Sequence, residues 1–182
     1  YNGVLTLNNY HGGDIGTSAP ASGYYKIDLI GNNVITGGQR GVFIDTPHEG
    51  RVTITSNANG KLTINASSSD SSVWGIACGA SNSAKTTDVV IGGNAQVTIN
   101  ATSNGENKQV QGIHARNVTI EDNASVNITA KNTNNSTANQ WVAGIFAENN
   151  VTINTNGNID IDVSVAGGDS AYSYGIRNCK TM

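Results

Sequence analysis

Apolar and polar residues alternate along this chain in bursts of three to five positions, and three kinds of burst recur in a fixed order. One begins with glycine: Gly41-Val42-Phe43-Ile44, Gly75-Ile76-Ala77-Cys78, Gly112-Ile113-His114-Ala115, Gly144-Ile145-Phe146-Ala147 and Gly175-Ile176-Arg177-Asn178. The next is an apolar-polar-apolar triplet: Ile27-Asp28-Leu29, Val52-Thr53-Ile54, Val89-Val90-Ile91, Val118-Thr119-Ile120 and Val151-Thr152-Ile153. The last is led by asparagine: Asn2-Gly3-Val4-Leu5, Asn32-Asn33-Val34-Ile35, Asn59-Gly60-Lys61-Leu62, Asn94-Ala95-Gln96-Val97, Asn123-Ala124-Ser125-Val126 and Asn156-Gly157-Asn158-Ile159. A two-residue period over so few positions is the pattern of a half-buried strand. No twelve-residue stretch carries the 3.6-residue stripe of an amphipathic helix, so the prediction is three short strands per repeat and no helix.

The leading asparagines fall 30, 27, 35, 29 and 33 residues apart. A drifting period near thirty residues predicts stacked coils joined by loops of variable length, in which no repeat buries its apolar face alone. The expectation is an all-β fold, a three-sided parallel β-helix of about five coils over residues 1–182, right-handed by the general preference of parallel crossovers. Equivalent residues one coil apart sit about 4.8 Å from each other. Ile76, Ile113, Ile145 and Ile176 then form one inward column, and Val97, Val126 and Ile159 another. Asn2, Asn32, Asn59, Asn94, Asn123 and Asn156 are expected to line one corner. Asparagine tolerates the left-handed backbone of a sharp turn, and its amide can bond to the copy above and below.

The repeated Gly-Ile-x-Ala, Val-Thr-Ile and Asn-(Ala/Gly)-x-Val units resemble the right-handed parallel β-helix, or pectin-lyase-like, repeats of secreted bacterial proteins. Within that superfamily they look most like the carbohydrate-binding and adhesin-like solenoids on the surface of Gram-positive bacteria. The resemblance spans Asn2 to Asn178. It implies an extracellular, secreted or surface-attached module, a single domain that is a piece of a longer surface protein. It specifies activity poorly, because the same fold carries lyases, hydrolases, adhesins and spacers.

Composition agrees with such a surface. Charged residues are 13 % of the chain and the net charge is −3, with Lys and Arg scattered. No basic patch is left for nucleic acid, and no run of eighteen apolar residues marks a membrane span. Asparagine accounts for 26 of the 182 residues, which suits outward strand positions and turns. The two cysteines, Cys78 and Cys179, fall three coils apart, about 14 Å at the ladder spacing, which is too far for a disulfide.

Catalytic chemistry finds no support in the motifs. His11, His48 and His114 lie in different repeats, and neither a nucleophile elbow nor Cys/His metal spacing occurs. Polysaccharide lyases of the resembled superfamily gather several outward carboxylates around calcium beside a basic residue. Asp160 and Asp162 are the nearest approach, as candidates for a calcium site or as two solvated edge residues; no other cofactor is implied. The first face carries an outward column Phe43, Ala77, His114, Phe146 and Arg177, with Trp74, Trp141, Tyr172 and Tyr174 in the segments leading into it. Parity would carry Trp74 and Tyr174 inward if their strands ran straight. Aromatic rings beside donors hold sugars through the apolar face of the pyranose and hydrogen bonds at its rim. His114, Phe146 and Arg177, with Trp141 and Tyr172 at the rim, are therefore the candidate carbohydrate site. Two functions stand open: a non-catalytic module that binds a glycan or another surface protein, and a polysaccharide lyase or hydrolase.

Overall fold

The computed structural model describes residues 2–18, 23–45, 49–78, 87–137, 139–168 and 171–178. These form sixteen strands and no helix: β1 (Asn2–Asn8), β2 (His11–Gly12), β3 (Ile15–Ser18), β4 (Gly23–Ile30), β5 (Asn32–Gly37), β6 (Arg40–Asp45), β7 (Gly50–Ser56), β8 (Lys61–Ser68), β9 (Val73–Cys78), β10 (Thr87–Gly93), β11 (Gln96–Ser103), β12 (Gln109–Asp122), β13 (Ser125–Asn132), β14 (Gln140–Thr155), β15 (Ile159–Val165) and β16 (Ala171–Asn178). Among the described residues no helix is long and apolar enough to cross a membrane.

Every strand pair is parallel, and each joins a residue to its counterpart roughly one repeat away. A six-stranded sheet runs β15-β13-β11-β8-β5-β2. The ten-stranded sheet consists of two ladders, one starting β1-β4-β7-β10 and the other β3-β6-β9. Both continue into β12 and β14, which are long enough to serve the two ladders at once, and β16 closes the second. The chain is thus all-β with parallel strands in sheets, an arrangement compatible with a β-helix.

The sequence pattern explains the register. Val, Ile and Thr resist helix through their branched Cβ and pack well on a pleated surface. Their inward members stack: Ile76, Ile113, Ile145 and Ile176 pair in succession, as do Leu62, Val97, Val126 and Ile159. A third column, Ile54, Ile91, Ile120 and Ile153, belongs to the remaining ladder. The middle members are fully enclosed, and each contributes roughly 1.5–3 kcal/mol of burial free energy. The last members lie at an open end, where Ile153 is 42 % and Ile176 45 % exposed.

The asparagine corner is shorter than the spacing predicts. Asn94, Asn123 and Asn156 form a ladder, with Asn123 Nδ2 donating to Asn94 Oδ1 at 3.0 Å and Asn156 Nδ2 to Asn123 Oδ1 at 3.2 Å. Below them the equivalent place belongs to Asn57, whose carbonyl accepts from Asn94 Nδ2 at 3.2 Å. Asn59 instead supplies the left-handed turn residue, φ 52°, and the Ser56 hydroxyl takes the backbone N–H groups of Ala58 and Gly60 at that corner. In the preceding repeat Asn32 opens β5 opposite Lys61. Asn33 there bridges the corner, accepting from Tyr10 N and donating to the carbonyls of Ile30 and Lys61. Asn2 is not at this corner, because β1 pairs with β4 and sets Asn2 opposite Tyr24. The triplet containing Ile27 is also displaced by two residues. Tyr25, not Ile27, stands opposite Val52, a shift that preserves parity and so leaves the same face buried.

A second departure lies on the glycine-led ladder. A Cβ on Gly75 would stand 2.2 Å from Ile99 Cγ2, and one on Gly112 2.3 Å from Ile128 Cγ2. Gly41 and Gly144 meet Ile64 and Ile161 in the same way. These glycines therefore face the core with the valine or isoleucine that follows, so alternation breaks at each one. Upstream residues change sides. Trp74 and Tyr174, which straight alternation would bury, remain partly exposed on the outer surface.

Candidate functional site

The outer column of the glycine-led ladder holds as expected: Phe43 pairs with Ala77, Ala77 with His114, His114 with Phe146, and Phe146 with Arg177. Three residues upstream of the glycines that break parity, Gln109, Trp141 and Tyr172 make a parallel column. Between the two columns opens a groove of about 410 Å³ lined by Gln109, Gln111, His114, Trp141, Phe146, Glu148 and Arg177. Four of the five predicted carbohydrate-site residues line it. The fifth, Tyr172, is 55 % exposed on edge strand β16, beside Trp141 on the ladder but outside the groove.

Rings and cations are tightly ordered here. The centroids of His114 and Phe146 are 4.9 Å apart at 56°, and those of Trp141 and Phe146 4.9 Å apart at 84°. Tyr174 meets Trp141 at 6.5 Å. The Arg177 guanidinium carbon lies 4.9 Å from the Trp141 ring, 5.1 Å from Tyr174 and 5.7 Å from Phe146. Cation–π attraction holds the guanidinium against the three rings, and among the described residues no carboxylate forms an ion pair with it.

Several polar atoms are buried without a partner. Trp141 Nε1 and both ring nitrogens of His114 lack a hydrogen bond. His114 Nε2 stands 3.5 Å from Glu148 Oε1, close enough for electrostatic contact but outside hydrogen-bond geometry. The His114 side chain is 14 % exposed. Burial holds its pKa below the usual 6.5, against the opposing pull of the Glu148 carboxylate. Near neutral pH the imidazole is therefore uncharged, with one nitrogen donating and one accepting. Gln111 Oε1 accepts from Trp74 Nε1 at 2.9 Å, and Gln111 Nε2 reaches Gln109 Oε1 at 3.5 Å, lining one wall with amides.

Sequence reasoning passed over Gln109, Gln111 and Glu148. Glu148 was within reach, since it lies two residues beyond Phe146 and alternation places it on the same face. The glutamines were hidden because the break at Gly112 reverses parity before them.

Asp160 and Asp162 lie on β15, opposite Asn127 and Thr129. Lys131 Nζ stands 3.7 Å from Asp162. Among the described residues no group of three or more His, Cys, Asp or Glu side chains comes close enough together to hold a metal ion. Cys78 is buried with a free thiol, whose pKa burial raises, with a smaller contribution from Asp88; Cys179 lies outside the described residues. Beside the groove's strands, Arg116 sits at the register break of β12 and grips Asp88 through two hydrogen bonds of 2.7 and 2.9 Å, and Glu49 through one of 3.0 Å. That clamp joins three repeats.

Comparison with protein-family models, curated proteins and solved structures finds no match to this chain.

Proposed function

We propose that this chain is a non-catalytic extracellular β-helix module that holds a glycan in the groove of His114, Trp141, Phe146 and Arg177. The observation that carries the reading is the pairing of apolar rings with unsatisfied donors. Trp141 Nε1 and His114 Nδ1 have no hydrogen-bond partner within the protein, while the rings of Trp141 and of Phe146, the latter 9 % exposed, line the groove beside them. A buried donor without an acceptor costs about 1–3 kcal/mol, and a sugar hydroxyl arriving in the groove would remove that cost while its apolar face covers the rings. The three parallel ladders support the finer architecture, a right-handed three-sided solenoid of about five coils.

The experiment is binding to an immobilised glycan panel. Wild type should be retained by a subset of glycans, and Trp141→Ala with Phe146→Ala should abolish that retention in a protein that still unfolds cooperatively. Equal retention by variant and wild type, or none by either, would make the module a spacer or a protein-binding surface. The alternative reading, a polysaccharide lyase or hydrolase, would draw on Glu148 and His114, the carboxylate–imidazole pair within the groove. Incubation with polygalacturonate and calcium should leave uronate absorbance and reducing ends unchanged; a rise in either would favour the enzyme, with Glu148, Asp160 and Asp162 the first residues to replace.

A further inference from the structure

We infer that the same face carries a second subsite, built from Arg40, Phe43 and Trp74, so that the ligand is an extended oligosaccharide laid across the strands, not a terminal sugar. The inference rests on the glycan reading of the groove.

The second cluster repeats the chemistry of the first. The Arg40 guanidinium carbon lies 4.0 Å from the Phe43 ring centre and 5.6 Å from that of Trp74. Among the described residues no carboxylate forms an ion pair with Arg40, and its Nε is buried without an acceptor. An arginine held over aromatic rings, with no carboxylate partner among the described residues, is also what the groove offers through Arg177. The two clusters occupy the same columns. Phe43, Ala77, His114 and Phe146 succeed one another on one, and Arg40, Trp74, Gln111, Ala143 and Tyr174 on the other. From Phe43 to Phe146 is three ladder steps, about 14 Å at about 4.8 Å per step.

At the Ala77 and Ala143 positions no large side chain stands between them. Both alanines are fully buried, and Gln111, only 1 % exposed, is held in the wall by accepting from Trp74 Nε1. A pyranose chain advances by about one ladder step per residue, so successive sugars would stay in phase with the columns. One end would rest beside Phe146 and the other on the ring of Trp74. Two weak subsites joined by one ligand act at high effective concentration, and binding gains steeply once the ligand is long enough to reach both.

The test uses immobilised hexose oligomers of two to six residues in α1,4, β1,3 and β1,4 linkage. In whichever linkage wild type retains, the hexamer should hold it about tenfold or more above the dimer. In Arg40→Ala that hexamer-to-dimer ratio should fall to about twofold or less. Arg40→Lys keeps the charge but lacks the planar fork, and should lose most of the gain as well; it also guards against a folding defect in the alanine variant. A wild type that shows no gain with length, or variants whose ratio matches wild type, would overturn the second subsite and leave the groove standing. A wild type that retains no oligomer would overturn both readings.

Discussion

The Trp141 indole meets the Phe146 ring edge-on at 4.9 Å, and Arg177 on the neighbouring strand lies over both rings. Tertiary contacts between residues five apart on one strand and a cation on the next make the groove wall a packed unit. Phe146 shares its other side with His114.

Removing that ring should therefore cost stability as well as binding. Phe146→Ala should destabilise the fold by about 3 kcal/mol, the low end for a buried phenylalanine, because the ring is 9 % exposed and lines the groove. Urea unfolding followed by tryptophan emission measures it. A change under half a kilocalorie per mole would mean the ring is held only loosely.

Gly112→Ala tests the break in alternation. Its Cβ would meet Ile128 Cγ2 at 2.3 Å and the Gly144 carbonyl oxygen at 2.5 Å, one a core side chain and the other backbone. Neither can retreat, so overpacking should cost roughly 2–3 kcal/mol. Ile128→Ala alone should cost about 2–5 kcal/mol, and combined with Gly112→Ala it should cost less than the sum of the two, because it removes the clashing methyl. Gly38, whose Cβ would meet nothing within 4 Å, is the matched control, and Gly38→Ala should shift the midpoint little.

The corner ladder makes a sharper distinction between asparagines that look alike in sequence. Asn123→Ala breaks the bonds to both Asn94 and Asn156, and exposed amide pairs of this kind contribute about 0.5–1.5 kcal/mol each. Asn59→Gly removes no ladder bond and suits the φ of 52° at that position, so its midpoint should stay near wild type. If the two variants unfold at the same denaturant concentration, the ladder adds nothing measurable.

His114 gives the groove a pH dependence whose sign follows from its burial. Its pKa is lowered in the folded protein, whereas in the unfolded chain it returns to about 6.5. Below that value the unfolded state takes up a proton that the folded state resists. His114 therefore costs no stability above about pH 6.5 and progressively destabilises the fold as pH falls toward its folded pKa. Glu148 and Arg177, the charged residues lining the groove with it, act in opposite directions on its proton. His114→Gln should flatten the decline between pH 7 and pH 5 in the urea midpoint, and a histidine proton shift titrating at or above 6.5 would contradict the burial.

Much of this architecture was legible because inward isoleucines and valines recur with strand parity. The columns through Ile113 and Val126, and the outward line from His114 to Arg177, follow from that alone. The sides taken by Trp74 and Tyr174 were not legible. A glycine whose absent Cβ makes room for Ile99 looks, in sequence, like any strand glycine, yet it reverses the alternation behind it. The first repeat misled for another reason. Asn2-Gly3 matches the corner pattern in residue type, while the pairing of β1 with β4 is fixed by Leu5 and Leu7 opposite Ile27 and Leu29. Of the groove, the rings were visible in advance, but the Gln109–Gln111 wall required knowing where parity fails.

Strands β12 and β14 each run unbroken from the groove into the adjoining ladder. A load drawn along either long strand would thus be shared in shear by two ladders of backbone hydrogen bonds, instead of peeling one ladder open bond by bond. The part of the molecule that would hold a tethered ligand is also the part least able to unzip under tension.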